Sequence, residues 1–334
     1  MYDVVETLPD THLSVTRDVS LVRWRLGTRI AFRFCAVYFT LYILATQMIS
    51  SLASLPQLSG YPPLSTMTTW VATSLMGFSA PLVILSGSGD KPFDWALSAS
   101  LLVVAAAVTV VWSVVDRSRA SYVGLWAWFH RFVSLAVGAT MISYGLAKAI
   151  PLQMPFPSLA RLLEPYGHFS LMGVLWAQVG ASPAFERFTG AVELSAGILL
   201  FIPGLGLLGA VVSLLASTFI FVLNMTYDVP VKLFSLHLVV MSLLLLAPHR
   251  TRLLNVFVLN RPASPLTETP LVRRPIGRRV VVGLQLALGV WLVYSNFTDS
   301  VQARARFGST ARNHRCTASG TSKRWRSTAM CGRH

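Results

Sequence analysis

Charge is what this chain has least of. Charged residues make up 12% of its 334 positions, where a soluble domain carries about 25%. That excludes a soluble enzyme with a loop-borne site. A disordered protein is excluded too, since 54% of the residues are hydrophobic. Cysteine is as scarce, with three residues and no C-x-x-C pair. Cys35 lies in an apolar run, and Cys316 and Cys331 lie near the end. No dithiol redox centre is therefore expected within the chain. A membrane b-type haem needs histidines at matching depth on facing helices. His130 and His237 fall at opposite depths, while His168 lies in a loop and His249 at a helix end. No metal-ligand spacing, nucleotide motif or G-x-S-x-G elbow appears. Gly87-Ser88-Gly89-Asp90 is too short for a phosphate loop and reads as a turn.

Apolar length is what the chain has in abundance, with a mean hydropathy of +0.59. A bilayer core of about 30 Å needs about 20 helical residues. Seven runs qualify: Ile30–Ser51, Trp95–Val115, Phe132–Ile150, Pro183–Ile202, Leu207–Met225, Val231–Ala247 and Val280–Phe297. Asp94 is placed to cap the second, and Ser182-Pro183 to open the fourth. Pro203-Gly204 closes the fourth. The expected fold is all-α, a polytopic membrane protein. The run Trp70–Leu85 is about 16 residues, short for a span, and is expected to be a re-entrant or surface helix.

The net charge of +15 would suit nucleic acid if it were clustered. Instead the basic residues alternate with the apolar runs, so the lipid bilayer is the expected partner and nucleic acid is not. Arg17, Arg23, Arg25, Arg29, Arg33, Arg117, Arg119, Arg131, Arg250, Arg252, Arg261, Arg273, Arg274, Arg278 and Arg279 fall on one side. Lys91, Lys148, Arg161, Arg187 and Lys232 fall on the other. The positive-inside rule then places the N-terminus in the cytoplasm and the end of the last span outside, in an inner (plasma) membrane. The polar first 28 residues and the long run after them predict no cleavable signal peptide.

The organisation follows. Residues 1–29 form a cytoplasmic segment, and 30–125 hold two spans with an outer loop. Residues 126–248 hold four spans, 249–279 a basic cytoplasmic loop, 280–297 the last span and 298–334 a basic tail. The stretch 304–334 lacks apolar periodicity and reads in two ways. One is a disordered basic tail. The other is a shifted reading frame, because one choice of codons for Ser309–Ala329 gives an acidic, aromatic string in the next frame.

Ionisable groups within a bilayer are costly, and they are usually paired or functional. Glu193 falls near the middle of its span. Tyr144 and Lys148 share a helix face four residues apart. His237 lies in the outer half, and Asn224, Tyr227, Asp228 and Lys232 occupy the outer turn between two spans. Glu193 is the candidate catalytic residue, with the other seven as candidate binding residues. A blander reading stands beside each. The lysines can snorkel to headgroups, Asp228 and Lys232 can form a turn pair, and His237 can be a satisfied packing residue. Lys148, Tyr144 and His237 are the reachable partners for Glu193.

Two segments carry a resemblance. His130-Arg131-Phe132 leading to Tyr144-Gly145-Leu146-Ala147-Lys148 resembles the first helix of the DoxX/DoxD-like membrane protein family. Gly190-Ala191-Val192-Glu193-Leu194-Ser195-Ala196-Gly197-Ile198-Leu199-Leu200 resembles its G-x-x-E-x-x-x-G-x-L-L helix. Further segments resemble a longer subgroup: Gly87–Asp90, Leu152–Pro157, Tyr227–Lys232 and Leu259–Pro262. Lys148, Glu193 and Gly197 are the matching residues. Ile202-Pro203-Gly204-Leu205-Gly206 departs from the family, whose members often have basic residues there. The resemblance implies a four-helix membrane bundle over residues 126–248. It also implies an accessory subunit of a quinone- or thiol-linked redox system, with a redox partner protein and quinone as the candidate cofactor. A small-molecule transporter or binder, and a scaffold without catalysis, stay open as alternatives.

Overall fold

The computed structural model describes residues 23–307, apart from 54, 85–87, 264, 266–270 and 273. The sequence expectations for the N-terminal segment with Arg17, for Gly87 and Arg273, and for the tail with Cys316 and Cys331 lie outside the described residues. Every regular element described is helical: α1 (Leu26–Ala45), α2 (Gln47–Ala53), α3 (Leu64–Trp70), α4 (Pro92–Val115), α5 (Val123–Ala149), α6 (Leu159–Leu163), α7 (Leu171–Gly180), α8 (Pro183–Phe201), α9 (Gly206–Thr226), α10 (Lys232–Leu246), α11 (Arg250–Phe257) and α12 (Pro275–Phe307).

Among the described residues, six helices are long and apolar enough to cross a membrane. They are α1, α4, α5, α9, α12 and the run Lys232–Phe257, in which one tight turn joins α10 to α11. Their outward faces are apolar: Val103, Val110 and Val115 on α4 are more than 60% exposed, as are Ile276 and Val290 on α12. Such surfaces suit lipid rather than water. The expected span Pro183–Ile202 is a helix, but Glu186, Arg187 and Glu193 keep it from qualifying by composition.

Two other expectations need correction. The expected span Ile30–Ser51 is broken at Thr46, whose backbone is extended. Its hydroxyl and its N–H both donate to the Tyr42 carbonyl, at 2.8 and 3.1 Å, which closes α1 before α2 begins. Among the described residues of the run Trp70–Leu85, helix extends only through Leu75, and Gly77 then turns the chain at φ +73°.

At one end of the molecule, Arg33 is buried to 2% and holds α1 to the α4–α5 connection. Its guanidinium donates to the Tyr122 hydroxyl, the Ser113 hydroxyl and the Asp116 carbonyl. Tyr122 in turn donates to the Asp116 carboxylate at 2.8 Å. Each strong donor there has an acceptor, which a buried guanidinium requires. Phe32 fills the space beside it against Trp24, Trp112, Tyr122, Trp126 and Phe129.

The central bundle is α5, α8, α9 and α10, packed antiparallel in sequence. Its closest seam joins α5 to α8. Gly138 and Gly145 on α5 face Gly197 and Gly190 on α8. The seven-residue spacing is two helical turns, so each pair shares one stripe. A methyl group on Gly145 would lie 2.5 Å from the Leu194 nitrogen, and one on Gly197 2.7 Å from the Gly138 oxygen. Backbones this close are a feature of membrane helix packing through small residues. Along α9 and α10 the Ser213 and Ser242 hydroxyls bond at 3.0 Å. α12 covers the end of α8, where the Gln285 amide donates to the Phe201 carbonyl at 2.7 Å.

The seam generates a test. Gly145→Ala forces two backbones apart and should cost about 1–3 kcal/mol, read as a lower unfolding temperature of the detergent-solubilised protein. Gly124→Ala, where a methyl group meets nothing within 4 Å, should leave that temperature unchanged.

Candidate functional site

Lys148 sits in the last turn of α5, where its charge complements the helix dipole. Glu193 sits midway along α8, between Gly190 and Gly197. The glycine seam brings the two together, and the Lys148 ammonium donates to Glu193 Oε1. Both residues are buried, at 7% and 3% exposure. Glu193 Oε2 is buried with no hydrogen-bond partner.

The pair borders a cavity of about 340 Å³. Met141, Leu175, Trp176, Leu223 and Phe234 form much of its apolar wall. Tyr144, Gln153 and Asn224 supply further polar groups. Phe185 on α8 and Phe219 on α9 also line it, and they are 44% and 51% exposed on the outer surface of the bundle. The cavity therefore reaches the apolar flank between α8 and α9. α7 covers it with Met172, Leu175, Trp176 and Val179. A second, more polar cavity of about 310 Å³ lies on the other side of Tyr144 and Phe234, bordered by Gln47, Ser59, Lys91 and Asp94.

The remaining predicted residues divide. Tyr144 lines both cavities, and its hydroxyl accepts from the Gln47 amide at 3.0 Å. Asn224 lines the first cavity and donates to the Ser235 hydroxyl at 3.0 Å. Tyr227 packs against the small apolar cluster of Met154, Leu175, Val179 and Val229. Asp228 turns the chain at φ +51° and pairs with Lys232 at 2.7 Å, in an exposed turn. Neither Asp228 nor Lys232 lines the cavity.

His237 stands apart from Glu193, among whose partners the sequence reading had counted it. Its ring stacks on Tyr42 at 3.8 Å between centroids, with planes 5° apart. Nδ1 lies 2.7 Å from the Leu233 carbonyl, which can only accept, so Nδ1 carries the proton. Nε2 lies 2.7 Å from the Tyr38 hydroxyl, within hydrogen-bond distance. With both ring nitrogens bonded, His237 fastens α10 to α1.

Several residues around the site carried no clear sequence signal. Asp90 accepts from the Lys232 and Leu233 backbone N–H groups at 2.8 and 2.9 Å and so caps α10. Glu186 is 1% exposed and accepts from the Met154 N–H at 3.0 Å, with Oε2 unpartnered. That bond holds the Gln153–Met154 stretch over α8. In sequence, Glu186 is an acid in a first helical turn, an ordinary surface position. Only the covering loop and α7 make it a buried one.

Fold and site together define a multi-pass helical membrane protein with an ion pair buried beside an apolar cavity. No protein-family model matches the chain, and no curated protein or solved structure matches it.

Lys148 and Glu193 should behave as one unit. Lys148→Met or Glu193→Leu alone leaves an uncompensated buried charge and should cost about 3–5 kcal/mol. The double replacement should be less destabilising than either single one. Thermal unfolding of the four proteins in one detergent measures the coupling; additive losses would mean the two groups do not interact.

Proposed function

We propose that the chain is a seven-span, DoxX-like membrane protein that binds a quinone-class molecule as an accessory subunit of a membrane redox system. The reading rests on one observation above all. An apolar cavity that reaches the lipid-facing flank encloses a buried Lys148–Glu193 pair with an unpartnered carboxylate oxygen. A lipophilic ring with polar oxygens fits that combination: the wall holds the ring and tail, and the pair addresses the oxygens. The volume, about 340 Å³, is in the range of small-molecule sites, and the flank at Phe185 and Phe219 offers a tail its exit to the bilayer.

A bound quinone supplies two-electron, two-proton chemistry, with electrons from a partner protein. The chain's part is to hold the head group and manage charge. Glu193 orients a hydroxyl or exchanges a proton with it. Lys148 balances the carboxylate, and Tyr144 separates the site from the polar cavity. Lys148, Glu193 and Gly197 are the residues on which the DoxX-like reading stands, because they belong to the seam and the pair.

Seven spans follow if α8 crosses beside its antiparallel neighbour α5, with Glu193 neutralised by Lys148 and Glu186 at the edge. Crossing parity then returns α9 to the face opposite the start of α8. Reporter fusions after positions 29, 117 and 261 should read cytoplasmic, and fusions after 164 and 228 should read outside. Positions 164 and 228 on opposite sides would overturn the seven-span arrangement.

Mass spectrometry of small molecules extracted from protein purified in mild detergent, against mock preparations, tests the ligand. Quinone near one per chain, lost in Glu193→Gln, is the expected result. Absence of enriched quinone from the wild-type protein would remove this reading in favour of a scaffold.

A further inference from the structure

We propose that the cavity selects the hydroquinone over the quinone, because its wall offers hydrogen-bond acceptors that lack donors. This rests on the quinone-class reading above and names the oxidation state that the site prefers.

Two side chains lining the cavity carry a buried oxygen with no partner: Glu193 Oε2 on α8 and Gln153 Oε1 in the stretch after α5. They come from separate elements, and each accepts only. A third, Glu186 Oε2, lies behind that stretch, which Glu186 holds through the Met154 N–H. Lys148 pairs with Glu193 through Oε1. Two unmet acceptors therefore line the same cavity, beside the donors of Lys148, Tyr144 and the Gln153 amide.

A buried acceptor without a donor has lost its bonds to water and gained none in return. A ligand that brings a donor makes good that loss, and one that brings a lone pair adds repulsion. A quinone carbonyl only accepts. It can take an N–H from Lys148 but leaves Glu193 Oε2 and Gln153 Oε1 unmet. A hydroquinone hydroxyl donates and accepts through one oxygen. It can accept from Lys148 while donating to Glu193 Oε2, and so matches both members of the pair. The neutral hydroquinone also leaves the charge balance of the Lys148–Glu193 pair unchanged.

The consequence is directional. A site that holds the reduced form more tightly raises the potential of the bound couple and favours reduction at this site. It suits a step in which electrons from a partner are delivered to the pool as hydroquinone. Release of that product would then limit turnover.

The test is titration of the full chain in lipid nanodiscs under anaerobic conditions. The probes are 2,3-dimethyl-1,4-naphthoquinone and a decyl-substituted benzoquinone, each in oxidised and reduced form. Quenching of tryptophan emission is the readout, since Trp176 lines the cavity. The hydroquinone of the bound ring type should bind about tenfold more tightly than its quinone, which is about 1.4 kcal/mol. Glu193→Gln, which places an N–H where the orphan oxygen was, should shrink or reverse that ratio. Gln153→Met should shrink it as well and serves if Glu193→Gln does not fold. Equal affinities, or tighter binding of the quinone, would overturn the selectivity while leaving a quinone site in place. Binding of neither form would overturn the site itself and the selectivity with it.

Discussion

The close contact between α5 and α8 governs the middle of this protein. Lipid tails are as apolar as leucine side chains, so helices in a bilayer gain little by hiding apolar surface from each other. What they can gain is close packing. Gly138, Gly145, Gly190 and Gly197 remove the side chains that would keep two backbones apart. The short separation sets the reach of Lys148 and lets it meet Glu193 without leaving its helix. Without the seam, both charges would face apolar surroundings alone, and α8 would be a poor candidate to sit inside a bundle.

The ion pair solves one problem and leaves another. Pairing removes most of the cost of a buried ammonium and a buried carboxylate. It uses one carboxylate oxygen and leaves the second without a donor. Burial of that kind is rarely maintained for stability alone, since an apolar replacement would serve as well. The cavity beside it gives the second oxygen a direction to act in. The polar fastenings elsewhere behave differently. Arg33 with Tyr122 and Asp116, and His237 with Tyr38 and Leu233, have their bonds made internally, and neither Arg33 nor His237 lines either cavity described above. That contrast, together with the cavity, supports the site proposed above.

Much of the fold was legible because a bilayer imposes simple rules. A run of about twenty apolar residues must be helical to satisfy its own backbone, so composition alone locates spans. α4, α9 and α12 contain the runs expected of them, and α5 contains all of its run but Ile150. Thr46 was not legible as a break, since a threonine inside an apolar helix usually bonds back without ending it. α7 was missed altogether, because ten apolar residues are too few to register as a span. The same helix covers the cavity, so the site's enclosure was invisible along with it.

Of the candidate residues, Glu193, Lys148, Tyr144 and Asn224 converge on one cavity, while Asp228 and Lys232 make a turn and His237 a clasp. Position along a helix is a property of sequence. The direction a side chain faces, relative to helices far away in the chain, is not. By itself the sequence determined that the chain is helical, with runs long and apolar enough to cross a membrane. The tertiary structure decided which of its polar groups meet. Pairing depends on how closely α5 approaches α8, on the rotation of α10 toward α1, and on a covering segment. Those are outcomes of packing among distant segments, which no local pattern encodes.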